Sequence, residues 1–219
     1  MLTGSAETRL ALVREAIRTA AVRAKRDPAA IALIAVTKTH DAGDIAPMVA
    51  AGQRDFGESR VQEAAAKWPA LRDAHPHIRL HMIGRLQSNK AAEAVALFDA
   101  IHSLDRQSLL DALADAGTKV GRFPACFVQV NVGTEEQKGG VALADLGDFL
   151  GHVRASPLPL AGLMCIPPAE LEPAPFFALL NELARRHDVT GLSMGMSADY
   201  ETAVMLGATH VRVGSALFI

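Results

Sequence analysis

The sequence is poor in the features that mark secreted and membrane proteins. It has only two cysteines, Cys126 and Cys165, and each lies inside an apolar run. Such thiols suit buried packing residues in a reducing compartment better than a disulfide framework. No apolar stretch approaches the roughly 20 residues of a membrane span, and the amino-terminal segment has charges spaced through it, unlike a signal peptide. We therefore expect a cytoplasmic protein.

The sequence also lacks a strong charge of either sign. Its 22 basic and 24 acidic residues give a net charge of -2, which provides no field to attract nucleic acid or an anionic membrane. No group of histidines and cysteines has the spacing of a metal site. We expect a small-molecule ligand, no metal, no nucleic-acid or membrane partner, and a monomer.

Hydrophobic residues are abundant by contrast. They make up half of the 219 residues, which is enough to bury one large core. We find no linker, no low-complexity segment and no sign of a second domain. The sequence therefore predicts a single domain over residues 1–219.

One stretch, Ile31 to His40 (IALIAVTKTH), stands out in this chain. Its aliphatic and β-branched residues after Pro28 favour a strand buried on both faces, with Lys38 at the carboxyl end. Two interpretations of Lys38 are open. It is either a solvent-facing residue where the strand leaves the core, or an amine that loses water and its proton at a ligand-binding face and becomes a nucleophile.

Strand and helix patterns then alternate along the chain. The predicted strands lie near residues 31–38, 54–57, 79–83, 100–104, 125–132, 159–166, 191–194 and 210–213. The predicted helices lie near residues 6–24, 44–51, 61–73, 88–98, 107–116, 143–155, 173–187 and 197–206. Eight such units favour an α/β fold of the (β/α)8 TIM-barrel type, with an open doubly wound sheet as the alternative. No G-x-G-x-x-G supports that alternative.

The carboxyl ends of the strands face one mouth in such a barrel. The polar and glycine residues found there are Lys38, Gly57-Glu58-Ser59, Gly84, Asp105, Asn131, Pro167-Pro168, Gly195-Met196-Ser197 and Gly214-Ser215. Glycine amides, the Ser197 and Ser215 hydroxyls and the Arg212 charge could together hold a phosphate. Ser197 also suits a helix N-cap, and Arg212 could instead form an ion pair at the strand edge.

Other polar residues are better explained by structure. His81 on an apolar strand indicates hydrogen-bonded packing more than a base at the mouth. Glu58 and Glu63 flank a helix start, where an acid is favoured by the helix dipole. Residues 134–140 (TEEQKGG) are expected to form a solvated loop.

Seven motifs together resemble, in order and spacing, the YggS/PROSC family of pyridoxal 5'-phosphate (PLP) homeostasis proteins. They are AVTKTH, FGESRVQE, HMIGRLQSNK, IHSLDR, VQVNVGTEEQKGG, LAGLMCIPP and LSMGMSADYETAVMLGATHVRVGSALF. The similarity covers the chain from about residue 8. It implies one barrel like the N-terminal domain of alanine racemase, the type III fold of PLP proteins.

The resemblance also implies a cofactor and its contacts. PLP would be held as an internal aldimine on Lys38, and an apolar strand end would supply the desolvation that a neutral amine needs. The implied phosphate-binding residues are Ser197, Arg212, Gly214 and Ser215. Ile83 and Met194 match residues that line the cofactor pocket. Ser59 stands where the family commonly has Asn near the ring hydroxyl, and Arg85 stands where the family often has Pro.

The implied function is a non-catalytic PLP carrier that serves intracellular PLP homeostasis, with apo PLP enzymes as recipients. The alternative is an amino-acid racemase, which needs acid–base groups on both faces of the substrate carbon. The related racemases take a tyrosine from a second domain, which we do not expect here, and the only tyrosine of this chain, Tyr200, lies in a predicted helix. An aldolase-like barrel using Lys38 on a sugar phosphate would also explain an amine beside a phosphate site.

Overall fold

Eight parallel strands form the centre of the molecule. The computed structural model describes residues 5–134 and 139–218. The strands are β1 Ala32–Val36, β2 Asp55–Glu58, β3 Arg79–Met82, β4 Ala100–Leu104, β5 Ala125–Gln129, β6 Leu160–Met164, β7 Gly191–Ser193 and β8 His210–Val213. Each strand pairs with the next, and β8 pairs with β1, so the sheet closes into a barrel. The closure confirms the predicted (β/α)8 fold and excludes the open sheet.

Helices follow the strands and surround the barrel. They are α1 Ala6–Arg23, α2 Ala42–Ala50, α3 Val61–Ala74, α4 Ala91–Leu97, α5 Gln107–Val120, α6 Leu146–Ala155, α7 Ala174–Arg186, α8 Tyr200–Met205 and α9 Ser215–Phe218. Short 3-10 turns precede β1, α4 and α6. Trp68, Phe98 and Phe177 are fully buried and belong to one hydrophobic core with the strands.

The first helix shows how the sequence forms these elements. Ser5 caps α1 by accepting a hydrogen bond from the Thr8 amide. Leu10, Val13 and Ile17 recur at helical spacing and are buried, because α1 packs against α8, α9 and α2. Arg9 Nε also donates to the Leu217 carbonyl at 2.7 Å, which joins α1 to α9.

Most predicted elements are confirmed, with differences at their ends. The predicted strand over residues 125–132 ends at Gln129, because a turn begins beyond the single bridge at Val130. The predicted helix over residues 107–116 continues to Val120 and ends at Gly121, whose φ of 72° is the left-handed conformation that glycine adopts easily. The sequence analysis missed α9. Within the predicted loop at residues 134–140, positions 135–138 lie outside the described residues.

The inside of the barrel is unusually polar. His81, His102, Ser193 and Arg212 are all buried there and belong to four different strands. They form hydrogen bonds with one another, so the barrel interior contains a continuous polar row instead of aliphatic layers alone. One end of this row lies under the mouth formed by the carboxyl ends of the strands.

Candidate functional site

A cavity of about 430 Å³ opens at the carboxyl ends of the strands. Its lining consists of Val36, Lys38, Thr39, His40, Ser59, Ile83, Ile166, Met196, Ser197, Arg212, Gly214 and Ser215. We call it the Lys38 cavity. It brings together seven of the eight residues that the sequence analysis assigned to a cofactor site. Its volume suits a small organic ligand, for which protein pockets range from about 300 to 1,000 Å³.

Lys38 lies two residues beyond the end of β1, and its side chain is exposed in the cavity. The sequence analysis expected the strand end itself to desolvate the amine, and this expectation is wrong for the protein alone. The reason is that the chain turns outward at residues 38 and 39, while Thr37 remains wholly buried. Any loss of water at the amine must therefore come from a ligand that covers it.

A buried ion pair supports the turn that carries Lys38. Glu58 is wholly buried, and its Oε1 accepts hydrogen bonds from Thr37 Oγ1 at 2.5 Å and Trp68 Nε1 at 2.9 Å. Lys67 Nζ lies 2.7 Å from the same oxygen and also donates to the carbonyls of Thr37 and His40. The sequence patterns explained Glu58 and Glu63 by the dipole of the helix that follows, and this is confirmed for Glu63, which lies in the first turn of α3. For Glu58 it is wrong, since Glu58 ends β2 and its carboxylate supports the turn after β1.

The two glycine-containing turns meet on the opposite side of the cavity. The Gly214 amide donates to Ser197 Oγ at 3.1 Å, so the loop after β7 is tied to the loop after β8. The predicted N-cap role of Ser197 is wrong, because α8 begins later, at Tyr200, with Asp199 as its N-cap residue. Asp199 Oδ1 accepts instead from the Met196 amide at 2.6 Å. The Ser197 hydroxyl is thus left facing the cavity.

Arg212 lies at the floor of the cavity and is only 4% exposed. Its guanidinium donates to Ser193 Oγ at 2.6 Å and to the Cys165 carbonyl at 3.0 Å. Burial lowers the pKa of Arg212 below its usual value, and the nearby Asp199 opposes this shift. In the described part of the chain Arg212 forms no ion pair with a carboxylate. The predicted alternative of an ion pair at the strand edge is therefore wrong.

Three histidines cluster below Arg212. His81 Nδ1 lies 3.0 Å from His102 Nε2, and His210 lies about 6 Å from both rings. Burial lowers the pKa of His102 well below its usual value and that of His210 to about 4, and the charge of the neighbouring Arg212 acts in the same direction. Both imidazoles are therefore neutral at pH 7. Among residues 5–134 and 139–218, no group of three or more His, Cys, Asp or Glu side chains could hold a metal ion.

Of the remaining positions that were predicted to contact the cofactor, some line the Lys38 cavity and some do not. Ser59 and Ile83 line the cavity, as the resemblance implied. Met194 does not, because it follows Ser193, which points into the barrel, and so its own side chain turns outward into the core. Met196, which the sequence analysis did not select, lines the cavity in its place. Arg85 is exposed and lines an adjacent cavity of about 680 Å³ that shares Ser59 with the first.

The interpretations of two other residue types are confirmed. Cys126 and Cys165 are free and buried, and burial raises the pKa of each thiol to about 12, so both are inert packing residues. His81 is hydrogen-bonded inside the barrel and does not line the mouth. Sequence reasoning did not find its partners His102 and Ser193, since nothing in a single strand marks an inward polar residue that pairs across the barrel.

Comparison with known proteins identifies the family to which the chain belongs. The family model of the alanine racemase N-terminal domain matches residues 10–219. The chain therefore belongs to the alanine racemase N-terminal domain family. Within it, similar curated proteins carry the name pyridoxal phosphate homeostasis protein. The one from Pseudomonas aeruginosa is 42% identical over 217 residues, covering 95% of this chain and 93% of that protein. The one from Escherichia coli K12 is 38% identical over 221 residues, covering 95% and 94%. These matches confirm the resemblance to the YggS/PROSC family.

Solved structures agree with this assignment. PipY of Synechococcus elongatus with PLP bound is 40% identical with a TM-score of 0.80, and the match covers 93% of this chain and 99% of PipY. Alanine racemase of Clostridium difficile has a TM-score of 0.70 at 11% identity, covering 93% of this chain and 54% of the racemase, and so shares the fold alone. No helix in the described residues is long and apolar enough to cross a membrane.

Proposed function

We propose that the Lys38 cavity binds PLP, that Lys38 holds the cofactor covalently, and that the protein acts as a carrier in cytoplasmic PLP homeostasis. The observation that carries this proposal is one cavity that contains both a primary amine and a buried cation without a carboxylate partner among the described residues. An amine reacts with a carbonyl group, and a buried cation requires an anion. PLP combines an aldehyde with a phosphate, and the named relatives point to the same ligand.

The chemistry of the other lining residues fits PLP. Ser197 and Ser215 supply hydroxyl donors, and Gly214 leaves its backbone free of a Cβ where the two turns meet. Ser197 Oγ already accepts from the Gly214 amide, so its hydrogen is free to donate to a phosphate oxygen. When bound, PLP supplies an electron-withdrawing ring to whatever amine it carries. The residues of this chain bind the phosphate, position the ring and provide the amine.

Apolar side chains at the mouth support the same ligand. Ile166 and Met196 are 38% and 39% exposed, and both line the cavity together with Ile83. An aromatic ring placed between them would cover this surface and would remove water from the Lys38 amine. A ligand without an aromatic ring, such as a sugar phosphate in an aldolase-like reaction, would leave this apolar surface exposed.

Carrier rather than racemase is the role that the residues around the cavity favour. Besides Lys38, His40 is the only residue of the described lining whose side chain is of a common general acid–base type. Its ring stacks on Phe218 at 4.0 Å and its Nδ1 lies 3.2 Å from Asp44 Oδ2, so it already has partners outside the cavity. Tyr200 is largely buried and lines a different cavity. Efficient racemisation needs two well-placed acid–base groups.

Reductive trapping tests the binding site. The purified protein is incubated with PLP, reduced with borohydride and digested, and the modified peptide is identified by mass spectrometry. We expect a yellow protein before reduction and a pyridoxyl group on Lys38 afterwards. Lys38→Ala should lose both, and Lys90→Ala, which removes a lysine from the adjacent cavity, should keep both. A colourless wild-type protein, or labelling spread equally over Lys90 and other lysines, would reject the proposal.

Two assays on the PLP-loaded protein test the role. As a carrier it should transfer PLP to an apo PLP enzyme, which regains activity in proportion to the holo-protein added. A panel of L- and D-amino acids should show no sustained racemisation. Steady turnover that Lys38→Ala abolishes and His40→Gln reduces would replace the carrier by a racemase.

A further inference from the structure

A row of hydrogen bonds crosses the inside of the barrel and ends at Arg212. Asp55 Oδ1 lies 3.0 Å from His81 Nε2, and His81 Nδ1 lies 3.0 Å from His102 Nε2. His102 Nδ1 lies 2.8 Å from Ser193 Oγ, which is 2.6 Å from Arg212 Nη1. All five residues are no more than 8% exposed. The row connects the beginning of β2 with the floor of the Lys38 cavity.

The donors in this row can be assigned from its two ends. A guanidinium only donates, so the Ser193 oxygen accepts from Arg212, and the single Ser193 hydrogen is available for His102 Nδ1. With Ser193 donating to His102 Nδ1, a neutral His102 carries its proton on Nε2 and donates to His81 Nδ1. His81 Nε2–H then faces the Asp55 carboxylate. In this arrangement every hydrogen bond in the row points from Arg212 toward Asp55, and the histidine tautomers are what the first test below reads.

The carboxylate at the far end is held in its charged form. Burial alone would raise the pKa of Asp55, but hydrogen bonds from His81 and Arg79 outweigh burial and lower this pKa. Arg79 Nε lies 2.8 Å from Asp55 Oδ1, and the Arg79 side chain is largely exposed at the amino-terminal end of the barrel. Asp55 is thus a fixed negative charge that the row joins to the buried Arg212.

Hydrogen bonds that point in one direction strengthen each other. A hydroxyl that donates becomes a better acceptor, so the bond from Ser193 to His102 strengthens the bond that Ser193 accepts from Arg212. Arg212 has five N–H donors, and the two bonds to Ser193 and Cys165 fix the plane of its guanidinium while leaving further donors for a ligand. None of Asp55, His81, His102 and Ser193 lines the cavity.

We propose that Asp55, His81, His102 and Ser193, here called the barrel relay, are positioning residues that set the orientation and charge of Arg212 against the bound cofactor. The inference rests on the proposed function, because Arg212 meets PLP only if PLP occupies the Lys38 cavity. The relay places part of the control of cofactor affinity at the opposite end of the barrel, at a carboxylate that never touches the cofactor.

The first test reads the proton positions in the ligand-free wild-type protein. Nitrogen-15 NMR of the histidine side chains near pH 7.5 should show the proton of His102 on Nε2, with Nδ1 unprotonated, and His81 in the same tautomer. A proton on His102 Nδ1 would reverse the row and overturn the proposal. This test needs no variant, so it does not depend on whether a substitution disturbs folding.

The second test measures PLP affinity in a double-mutant cycle by titrating the absorbance of bound PLP. Asp55→Asn should weaken binding about three- to tenfold, and Ser193→Ala should weaken it at least as much. The double variant should bind no more weakly than Ser193→Ala alone, because Asp55 acts through Ser193. Losses that multiply, or wild-type affinity in Asp55→Asn, would overturn the relay.

The matched control is Asp99→Asn. Like Asp55, Asp99 has two cationic or imidazole partners, here Arg72 and Arg122, but it is outside the relay, so its variant should bind PLP like the wild type. Equal weakening by Asp99→Asn would attribute the loss to general destabilisation and reject the relay. If the wild type takes up no PLP at all, the proposed function fails, and the NMR result still reports on the row itself.

Discussion

Arg212 and Lys38 are both cations of the same cavity, but they stand in opposite environments. Lys38 is exposed and its primary amine can form a covalent bond, whereas Arg212 is buried and stays charged. The first property suits a covalent tether, and the second suits a fixed counter-charge. Removing either residue should therefore damage cofactor binding in a different way.

Arg212→Gln should weaken PLP retention by about 10- to 100-fold, because a hydrogen bond to a charged group contributes about 1.5 to 3 kcal/mol. The reaction of Lys38 with the aldehyde should remain, so borohydride should still label Lys38 at saturating PLP. Retention is measured by dialysis followed by absorbance. The control is Arg85→Gln, which removes an exposed positive charge from the adjacent cavity and should bind PLP within about twofold of the wild type. Unchanged retention in Arg212→Gln would make Arg212 a purely structural residue.

The sequence predicted site residues best where they follow a hydrophobic run. Lys38, Ser197 and Gly214 each lie within four residues after the end of a strand, and the carboxyl ends of parallel strands necessarily share one mouth. The contacts among the residues that point into the barrel were not predicted from the sequence. His102 and Ser193 are brought together by strand register and barrel closure, which a single sequence does not specify. The sequence also did not predict that Lys38 is exposed, because its exposure results from a turn of only two residues, 38 and 39.

At the scale of elements, the loop between β7 and α8 contributes Met196 and Ser197 to the side of the cavity where we propose that the phosphate binds. Gly195 has a φ of 91°, and a Cβ built on it would lie 2.5 Å from the Ala203 Cβ. The glycine lets α8 pack closely on the end of β7. The Gly195 carbonyl accepts a hydrogen bond from the Arg212 backbone amide at 3.0 Å. Gly195 therefore also joins this loop to β8.

Gly195→Ala should therefore lower the free energy of unfolding by about 2 to 4 kcal/mol, from backbone strain and the clash with α8. It should also weaken PLP binding, because Met196 and Ser197 follow directly. Gly52→Ala is the matched control, since its φ of 80° is similar and nothing lies within 4 Å of its added Cβ, so only about 1 kcal/mol is expected. Urea unfolding measures the free energy of unfolding of both variants. Equal losses in the two variants would show that contact with α8 is unimportant.

At the scale of the whole molecule, the polar row replaces part of the apolar core of the barrel. His102 belongs to this row and the half-buried His210 lies about 6 Å from it, and both imidazoles have lowered pKa values. Their unfolded-state pKa is near 6.5, so between pH 6.5 and 4 the unfolded chain binds protons that the folded protein excludes. The stability of the fold is thereby linked to pH between about 6.5 and 4.

The free energy of unfolding should be nearly constant from pH 7 to 8 and should fall as the pH drops from 6.5 toward 4. Each of these histidines should contribute up to about 1.4 kcal/mol per pH unit in that range. His210→Gln should reduce the slope, and His77→Gln, at an exposed loop position, should leave it unchanged. Denaturant titrations at several pH values measure the slope. Stability that does not change between pH 6.5 and 4.5 would contradict neutral histidines in the barrel.

The pairing of β1 with β8 has a consequence for the order of events during synthesis. Ile34 lies beside Arg212 in that pairing, although the two residues are separated by most of the chain. Lys38 is thus made first and Arg212 last, and they meet only when β8 closes the barrel. Contacts between such distant segments form late and slowly in folding. A ribosome-bound chain that still lacks β8 would expose Lys38 without the residues that we propose bind the phosphate, so under the proposed function only a finished barrel captures the cofactor.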